Sequence, residues 1–517
     1  MTINNPVADN LVVDTTYGPV RGIDVGRAAA WKGIRYADAP IGELRFRAPE
    51  PPQPWTEVAD ASRYGFVCPQ PPLPVFPLDL GGAENEDCLS VNIWAPRGTR
   101  PGDAKPVMVW VHGGAFVLGS GSQPLYDGRR LSSEGDVVVV TINYRLGVFG
   151  FLDLSGMGRG NFDSNIGLRD VLAALAWVRD NIAAFGGDPN RVTLFGESAG
   201  AGIVTTLLAV PQAAGLFGAA IAQSSPATSV YEHERAQRVT HLVLDHLGIA
   251  AAEAEKLVDA DIRALMSATD RVFAEIPVNH PGTVAFVPVV DGDLLHDYPV
   301  HSARDGRTLP VPLIIGTNKH EAALFRLMRS PLLPITPRAI TSMFNDIAAE
   351  QPDMALPTVE ELESSHARYR GSGRGVSIAS DVGFRMPSVW LAEGHSRVAP
   401  VYLYRFDYAT PIMKVLLVGA AHATELPYVW GTLGAPKDVT LKLGGTKAAK
   451  AVSKRIRERW VNFAATSTPT GLVGEPEWPP YGEPDRSCLI IDNADRIVQD
   501  ADEKIRKAWG SDILHFR

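Results

Sequence analysis

Five residues carry the first chemical signal: Gly196-Glu197-Ser198-Ala199-Gly200. They separate a short apolar run, Val192 to Phe195, from a helical one, Ala201 to Val210. A serine flanked by small residues between a strand and a helix can occupy a sharp, strained turn that exposes its hydroxyl. The chemistry is attack by Ser198 Oγ on a carbonyl carbon, with the free amides of the following helix beside the reacting atoms. The glycine spacing alone arises by chance in many chains. The strand-turn-helix context gives it weight.

A carbonyl under attack becomes an oxyanion, which needs amide donors already aimed at it. Losing one typically costs roughly 10²–10³ in kcat. Upstream, the apolar strand Val107 to Val111 runs into His112-Gly113-Gly114-Ala115-Phe116. Glycine lets backbone approach a ligand closely. The expected donors are the amides of Gly114, Ala115 and Ala199, with Gly113 shaping the loop. His112 is expected to bond loop backbone rather than to serve as a base.

A nucleophilic serine also needs a base and an acid, in the chain order serine, acid, histidine. The downstream candidates for the base include His366, His395, His422 and His515. His422 follows the strand Val401 to Phe406, among small neighbours that leave its ring free to reach. It would take the Ser198 proton and return it to the leaving group. His366 and His515 read as solvated. The acid should follow another core strand, and Glu321 follows Val311 to Ile315. Asp291 and Asp293 stay as rivals on spacing, although they precede that strand.

The elements that must position these groups read as α/β. Apolar strands at Val107 to Val111, Val137 to Ile142, Val192 to Phe195 and Ala219 to Gln223 alternate with helices. One helix carries Leu168, Val171, Leu172, Leu175, Val178 and Ile182 at helical spacing and ends at Gly186-Gly187. Fully apolar strands between helices imply a mostly parallel central sheet covered on both faces. Helical insertions are expected at about 227–285 and 325–400, around a core of about 100–225, 285–325 and 400–470. They should wall the pocket, with Phe116 and Phe325 as candidates. Further helices are expected at 336–350, 358–369 and 446–465, the last with its lysines and arginines solvated. With no repeat or low-complexity linker, residues 1–517 read as one enlarged domain.

Composition excludes several classes. The chain is 45% hydrophobic and 21% charged, with net charge −9 and no basic block. That argues against nucleic acid as a partner. The start, MTINNPVADN, lacks a secretory pattern, and no run reaches the roughly 18 apolar residues of a membrane span. A cytoplasmic location and a monomer are the expectations. The three cysteines, Cys68, Cys88 and Cys488, make no framework and no zinc spacing, and Cys488 reads as a buried strand residue. His233, His241 and His246 cluster near one helix at spacings that do not bring three ligands together, so no metal or other cofactor is expected.

Together these residues resemble the type-B carboxylesterase family nearly end to end. Trp31-Lys32-Gly33-Ile34-Arg35-Tyr36-Ala37, Glu86-Asp87-Cys88-Leu89-Ser90-Val91-Asn92, Asn143-Tyr144-Arg145-Leu146-Gly147 and Phe185-Gly186-Gly187-Asp188-Pro189 match its patterns in order. The resemblance implies an α/β-hydrolase fold and hydrolysis of small carboxylic esters. It puts the triad on Ser198, Glu321 and His422 and the oxyanion donors on Gly114, Ala115 and Ala199. It implies a buried Glu86–Arg145 pair and a Cys68–Cys88 disulfide. Glu197 would tune the site's field, and Ser225 would hydrogen-bond near the triad. The chain departs from the family at Ala115, where a third glycine is usual, and at Arg35, where proline is usual. Between the two cysteines Phe76 is the only aromatic, where cholinesterases carry a tryptophan. Cation–π attraction favours tryptophan, so poor activity on choline esters is expected. A non-catalytic adhesion protein is the rival class, and the complete set of Ser198, Glu321 and His422 argues against it. Amide, carbamate and thioester substrates stay open.

Overall fold

Runs of valine and isoleucine without alternating polar residues need cover on both faces, and here they form the centre of one sheet. The computed structural model describes residues 11–72, 78–367, 372–434 and 440–516. Residues 1–10, Phe76 and the 368–369 end of an expected helix lie outside that set.

The sheet has eleven strands. In chain order they are β1 (Ile23–Asp24), β2 (Ala28–Arg35), β3 (Ser90–Pro96), β4 (Lys105–Val111), β5 (Val138–Ile142) and β6 (Gly187–Glu197). Then come β7 (Ala219–Gln223), β8 (Leu313–Asn318), β9 (Val401–Phe406), β10 (Ser487–Ile491) and β11 (Arg496–Gln499). Their spatial order is β11-β10-β9-β8-β7-β6-β4-β5-β3-β2-β1. The run from β10 to β5 is parallel, and the strands outside it pair antiparallel. In such sheets the carboxyl ends of the parallel strands share one edge, where ligands bind. Glu197 ends β6, Asn318 ends β8 and Phe406 ends β9, so the loops bearing the candidate residues leave from that edge.

Most expected strands and helices appear with shifted ends. The strand expected from Val311 starts at Leu313. Pro312 has no N–H for the ladder, and its carbonyl accepts from Ala220 N at 2.9 Å. The Val192 strand reaches back to Gly187, because it pairs with β4 from Lys105. Helix α1 (Ile166–Asn181) covers the sheet, and Gly186 ends the following turn at φ 81°. Helix α2 (Ala199–Leu207) starts directly at the nucleophile corner.

Helix α3 (Thr446–Thr466) lays Trp460 against Tyr404 at 5.3 Å and Phe463 against Tyr402 at 6.0 Å. Its lysines at 450 and 454 are exposed, as expected, but its arginines are not free. Arg459 is fully buried, Arg455 lies 3.1 Å from Asp495, and Arg457 lies 2.6 Å from Glu134. Among the described residues no helix is long and apolar enough to cross a membrane.

Three expectations about buried groups are corrected. Arg145 pairs with Asp170 rather than Glu86: its Nε and Nη2 donate to the two oxygens at 2.8 and 2.6 Å. Glu86 is taken by Arg45 in the same two-pronged way, at 2.7 and 2.6 Å. Each guanidinium satisfies one carboxylate, the geometry that best repays burying both charges. His366 and His515 are buried rather than solvated, at 1% and 4% exposure. His366 Nε2 lies 2.6 Å from the buried Asp381, and the His515 ring lies tilted against Tyr298 at 4.5 Å. Cys68 and Cys88 are free buried thiols in contact with one another, without the implied disulfide. Cys488 is buried in β10, as its apolar neighbours suggest.

Candidate active site

Ser198 stands between β6 and α2 at φ 55°, ψ −127°, a conformation L-residues rarely adopt. Such a backbone costs of order 1–3 kcal/mol and persists because its surroundings impose it. Ser198 N donates to Gln223 O at 2.9 Å on the neighbouring strand. The corner also demands small residues. A Cβ at Gly200 would lie 2.1 Å from Val111 O, and one at Gly113 would lie 3.0 Å from Ser198 Cβ. The loop from His112 to Phe116 therefore presses directly on Ser198.

In that loop the Gly114 carbonyl accepts from Val117 N at 3.0 Å and Leu118 N at 2.9 Å, folding it into a tight turn. Gly114, Ala115 and Phe116 all take positive φ. Among the described residues no protein acceptor takes the amides of Gly114 or Ala115. Ala199 is the first residue of α2, where amides lack intrahelical partners. The three donors are thus available to an oxygen beside Ser198. His112 turns away: its Nδ1 lies 2.9 Å from Gly113 O and its ring stacks on Tyr144. Burial pulls its imidazole down to about 4, so it stays neutral.

The structure brings Glu321 and His422 together. Glu321 is fully buried, and its Oε2 accepts from His422 Nδ1 at 2.8 Å. Its Oε1 accepts from Ser224 Oγ and from Asn318 N, both at 2.6 Å. The rivals sit elsewhere. Asp291 caps a turn through Leu294 N and Leu295 N, and Asp293 pairs with Arg169. His395 is buried between Thr308 Oγ1 and Val311 O, each at 2.8 Å. The Ser225 hydroxyl meets Thr205 at 2.9 Å, so the contact expected of it belongs to Ser224.

Sequence reasoning missed Ser224, Asn318, Glu425 and Gln223. Glu425 is buried three residues past His422 and accepts from Gln223 Nε2 at 3.0 Å and from Asn318 Nδ2. Gln223 Oε1 takes the indole N–H of Trp460 at 3.1 Å. The only signal was position, since each lies within a few residues of a strand end or of His422.

The electrostatics centre on three buried glutamates around one imidazole. Burial lowers the His422 pKa, but Glu197, Glu321 and Glu425 outweigh it and raise it to about 9. Burial raises Glu197 to about 8, with His422 opposing and Glu425 and Glu321 adding. His422 Nε2 lies 3.2 Å from Glu197 Oε1. The Glu197 charge that raises His422 is absent while Glu197 is protonated. Burial is the largest effect on Glu197. Below about pH 8 that carboxyl is neutral and stops raising His422.

The cavity over Ser198 is lined at its base by Ala115, Phe116 and Ala199. The segment after β8 contributes Phe325, Leu332, Leu333, Val382 and Phe384. Thr228, Ser229, Gly282 and Val284 come from the segment before it, and Phe516 closes the list of its larger side chains. Phe384 stacks on His422 at 4.4 Å, and Phe325 lies 5.3 Å from the same ring. An apolar cavity ending at a hydroxyl and free amides, with an imidazole–carboxylate pair against two of its wall residues, can bind an apolar acyl compound and attack its carbonyl.

A sequence profile of the carboxylesterase family matches residues 9–509. The chain is 39% identical to a para-nitrobenzyl esterase of Bacillus subtilis (strain 168), over 96% of this chain and 98% of that one. It is 33% identical to a phenmedipham hydrolase of Pseudarthrobacter oxydans, over 95% and 97%. Among solved structures, a PNB esterase superposes with TM-score 0.81 at 36% identity, covering 97% of this chain and 100% of that one. A Geobacillus stearothermophilus carboxylesterase superposes with TM-score 0.84 at 36% identity and the same coverage.

Proposed function

The chain belongs to the carboxylesterase family and is a carboxylic ester hydrolase of α/β-hydrolase fold, and from that premise we propose that it works through a Ser198–His422–Glu321 triad. Ser198 Oγ attacks the ester carbonyl carbon, and its proton passes to His422 Nε2. The carbonyl oxygen, now anionic, is held by the amides of Gly114, Ala115 and Ala199. The bond to the alcohol oxygen breaks, and His422 protonates the departing alcohol. Water then attacks the acyl-serine and gives its proton to His422; the bond from the acyl carbon to Oγ breaks, His422 returns the proton to Ser198 Oγ, and the acid leaves. Glu321 fixes the ring orientation and stabilises the imidazolium without taking its proton.

The observation that carries this reading is the 2.8 Å contact from His422 Nδ1 to the buried Glu321. It leaves Nε2 as the ring nitrogen not engaged by Glu321, 3.2 Å from Oε1 of Glu197, the residue before Ser198. The same reading treats residues 1–517 as one enlarged domain, since the sheet takes strands from both halves of the chain.

The test is a burst of p-nitrophenol equal to the enzyme concentration, with a phosphonate probe read by mass spectrometry. Label on Ser198 and loss of turnover in Ser198→Ala are expected. Ester cleavage with Ser198 unlabelled would overturn the triad while leaving the family assignment intact.

A further inference from the structure

Phe516 lies 318 positions beyond Ser198, yet its side chain lines the same cavity. We propose that Phe516 is a specificity-determining residue: its ring closes one end of the pocket and limits the length of the ester chain that fits. This rests on Ser198 being the nucleophile of that cavity.

The ring is 5% exposed and is held from several sides. Its backbone is pinned by Tyr298, whose hydroxyl donates to Phe516 O at 3.2 Å. One residue earlier, Gln351 Nε2 donates to His515 O at 2.6 Å. The Arg235 guanidinium lies 5.4 Å from the ring and is itself tied to Glu350. Toward Gly282 there is no slack, because a Cβ at that residue would sit 3.1 Å from Phe516 Cζ. Gly282 also takes φ +90°, which favours glycine. A ring clamped this way cannot swing aside cheaply for a longer chain.

The opposite wall differs. Phe325 and Phe384 lie against His422, so a change there disturbs the base as well as the space. The residues that fix Phe516 are Tyr298, Gln351 and Arg235, none of them in the triad. Size selection can therefore vary at Phe516 with a smaller effect on the proton transfers. In an apolar pocket one methylene is worth roughly 10–200-fold in discrimination.

The test uses the whole chain and p-nitrophenyl esters from acetate to decanoate, together with ethyl to octyl esters of one acid. Active sites are titrated by the p-nitrophenol burst, so only folded, acylating enzyme is counted. Phe516→Ala is expected to raise kcat/KM for the long esters over the short ones about tenfold or more in one series. The gain should come mainly through KM. Phe516→Trp is expected to shift preference the other way, and it tests the proposal even if the alanine variant does not fold. An unchanged ratio in both series for either folded variant, or an equal loss on every ester, would overturn the proposal. Absence of any burst in the unmodified enzyme would instead strike at Ser198.

Discussion

Around Ser198 the site is assembled from two short glycine-bearing segments pressed together; around Glu321 and His422 it is assembled from single polar groups on several segments. At the nucleophile corner the controlling facts are steric: Gly200 against Val111 O, Gly113 against Ser198, and a serine held at positive φ. On the acid–base side they are polar. Glu321 bonds His422 across 101 positions and Ser224 across 97, while Gln223 reaches Glu425 across 202. A corner built on clashes tolerates few residue types at fixed spacing, and so leaves a motif. A network built on satisfied polar groups can be supplied from many positions, and leaves almost none.

Removing the nucleophile should produce the largest effect. Ser198→Ala is expected to lower kcat on p-nitrophenyl esters by roughly 10⁴-fold or more, measured against burst-titrated wild type. Turnover within tenfold of wild type would break the comparison at its root, because the strained corner would then serve no chemistry.

Next comes the steric claim. Gly200→Ala puts a methyl 2.1 Å from Val111 O, so β4 and α2 must part. A loss of about 1–3 kcal/mol in denaturant stability is expected, as for other overpacked sites. Gly218→Ala is the control: its new Cβ would find its nearest atom at 3.6 Å, ordinary contact, and stability should hardly move. Equal losses in the two variants would show that the corner is not the tight place it looks.

The polar claim is finer. Ser224 donates to the buried Glu321, whereas among the described residues Ser225 meets only Thr205 by side chain. Ser224→Ala should cost roughly tenfold in kcat/KM, the scale of one hydrogen bond to a charged group. Ser225→Ala should cost less than threefold. The reverse ranking would return the supporting role to the residue that family resemblance indicated.

The same contrast explains what could be read from the sequence. The parallel sheet and its helices were legible because valine and isoleucine runs and helical spacing are local. Gly196 to Gly200 and His112 to Phe116 were legible because an exposed nucleophile and its donors need small residues at set distances. Glu321 and His422 needed chain order and family resemblance, since spacing left Asp291 and Asp293 open. Asn318, Glu425 and Gln223 gave no signal beyond position, because a buried amide or acid looks like any other until its partner is known. For the same reason Arg145 was matched to Glu86, when Asp170 on α1 lay closer in space. Phe516 was illegible because nothing near it in sequence speaks of a pocket.

The smallest effect concerns Glu197, which belongs to both regions. It is part of the corner by sequence, and by space it is a member of the acid–base network, 3.2 Å from His422 Nε2. Its charge is among the influences that raise the His422 pKa. Glu197→Gln removes that charge at every pH. Below about pH 8 wild-type Glu197 is already neutral, so the acid limb of the kcat/KM profile should hardly move there. Under the proposed mechanism the active form has His422 neutral, and an ionised Glu197 opposes that form. Wild type should therefore show an added inflection near pH 8, where Glu197 ionises and favours the imidazolium, and the variant should lack it. An inflection that persists in Glu197→Gln would mean that this carboxylate does not act on the base. Glu197 would then belong with the steric corner alone, and the network around His422 would reduce to Glu321 and Glu425.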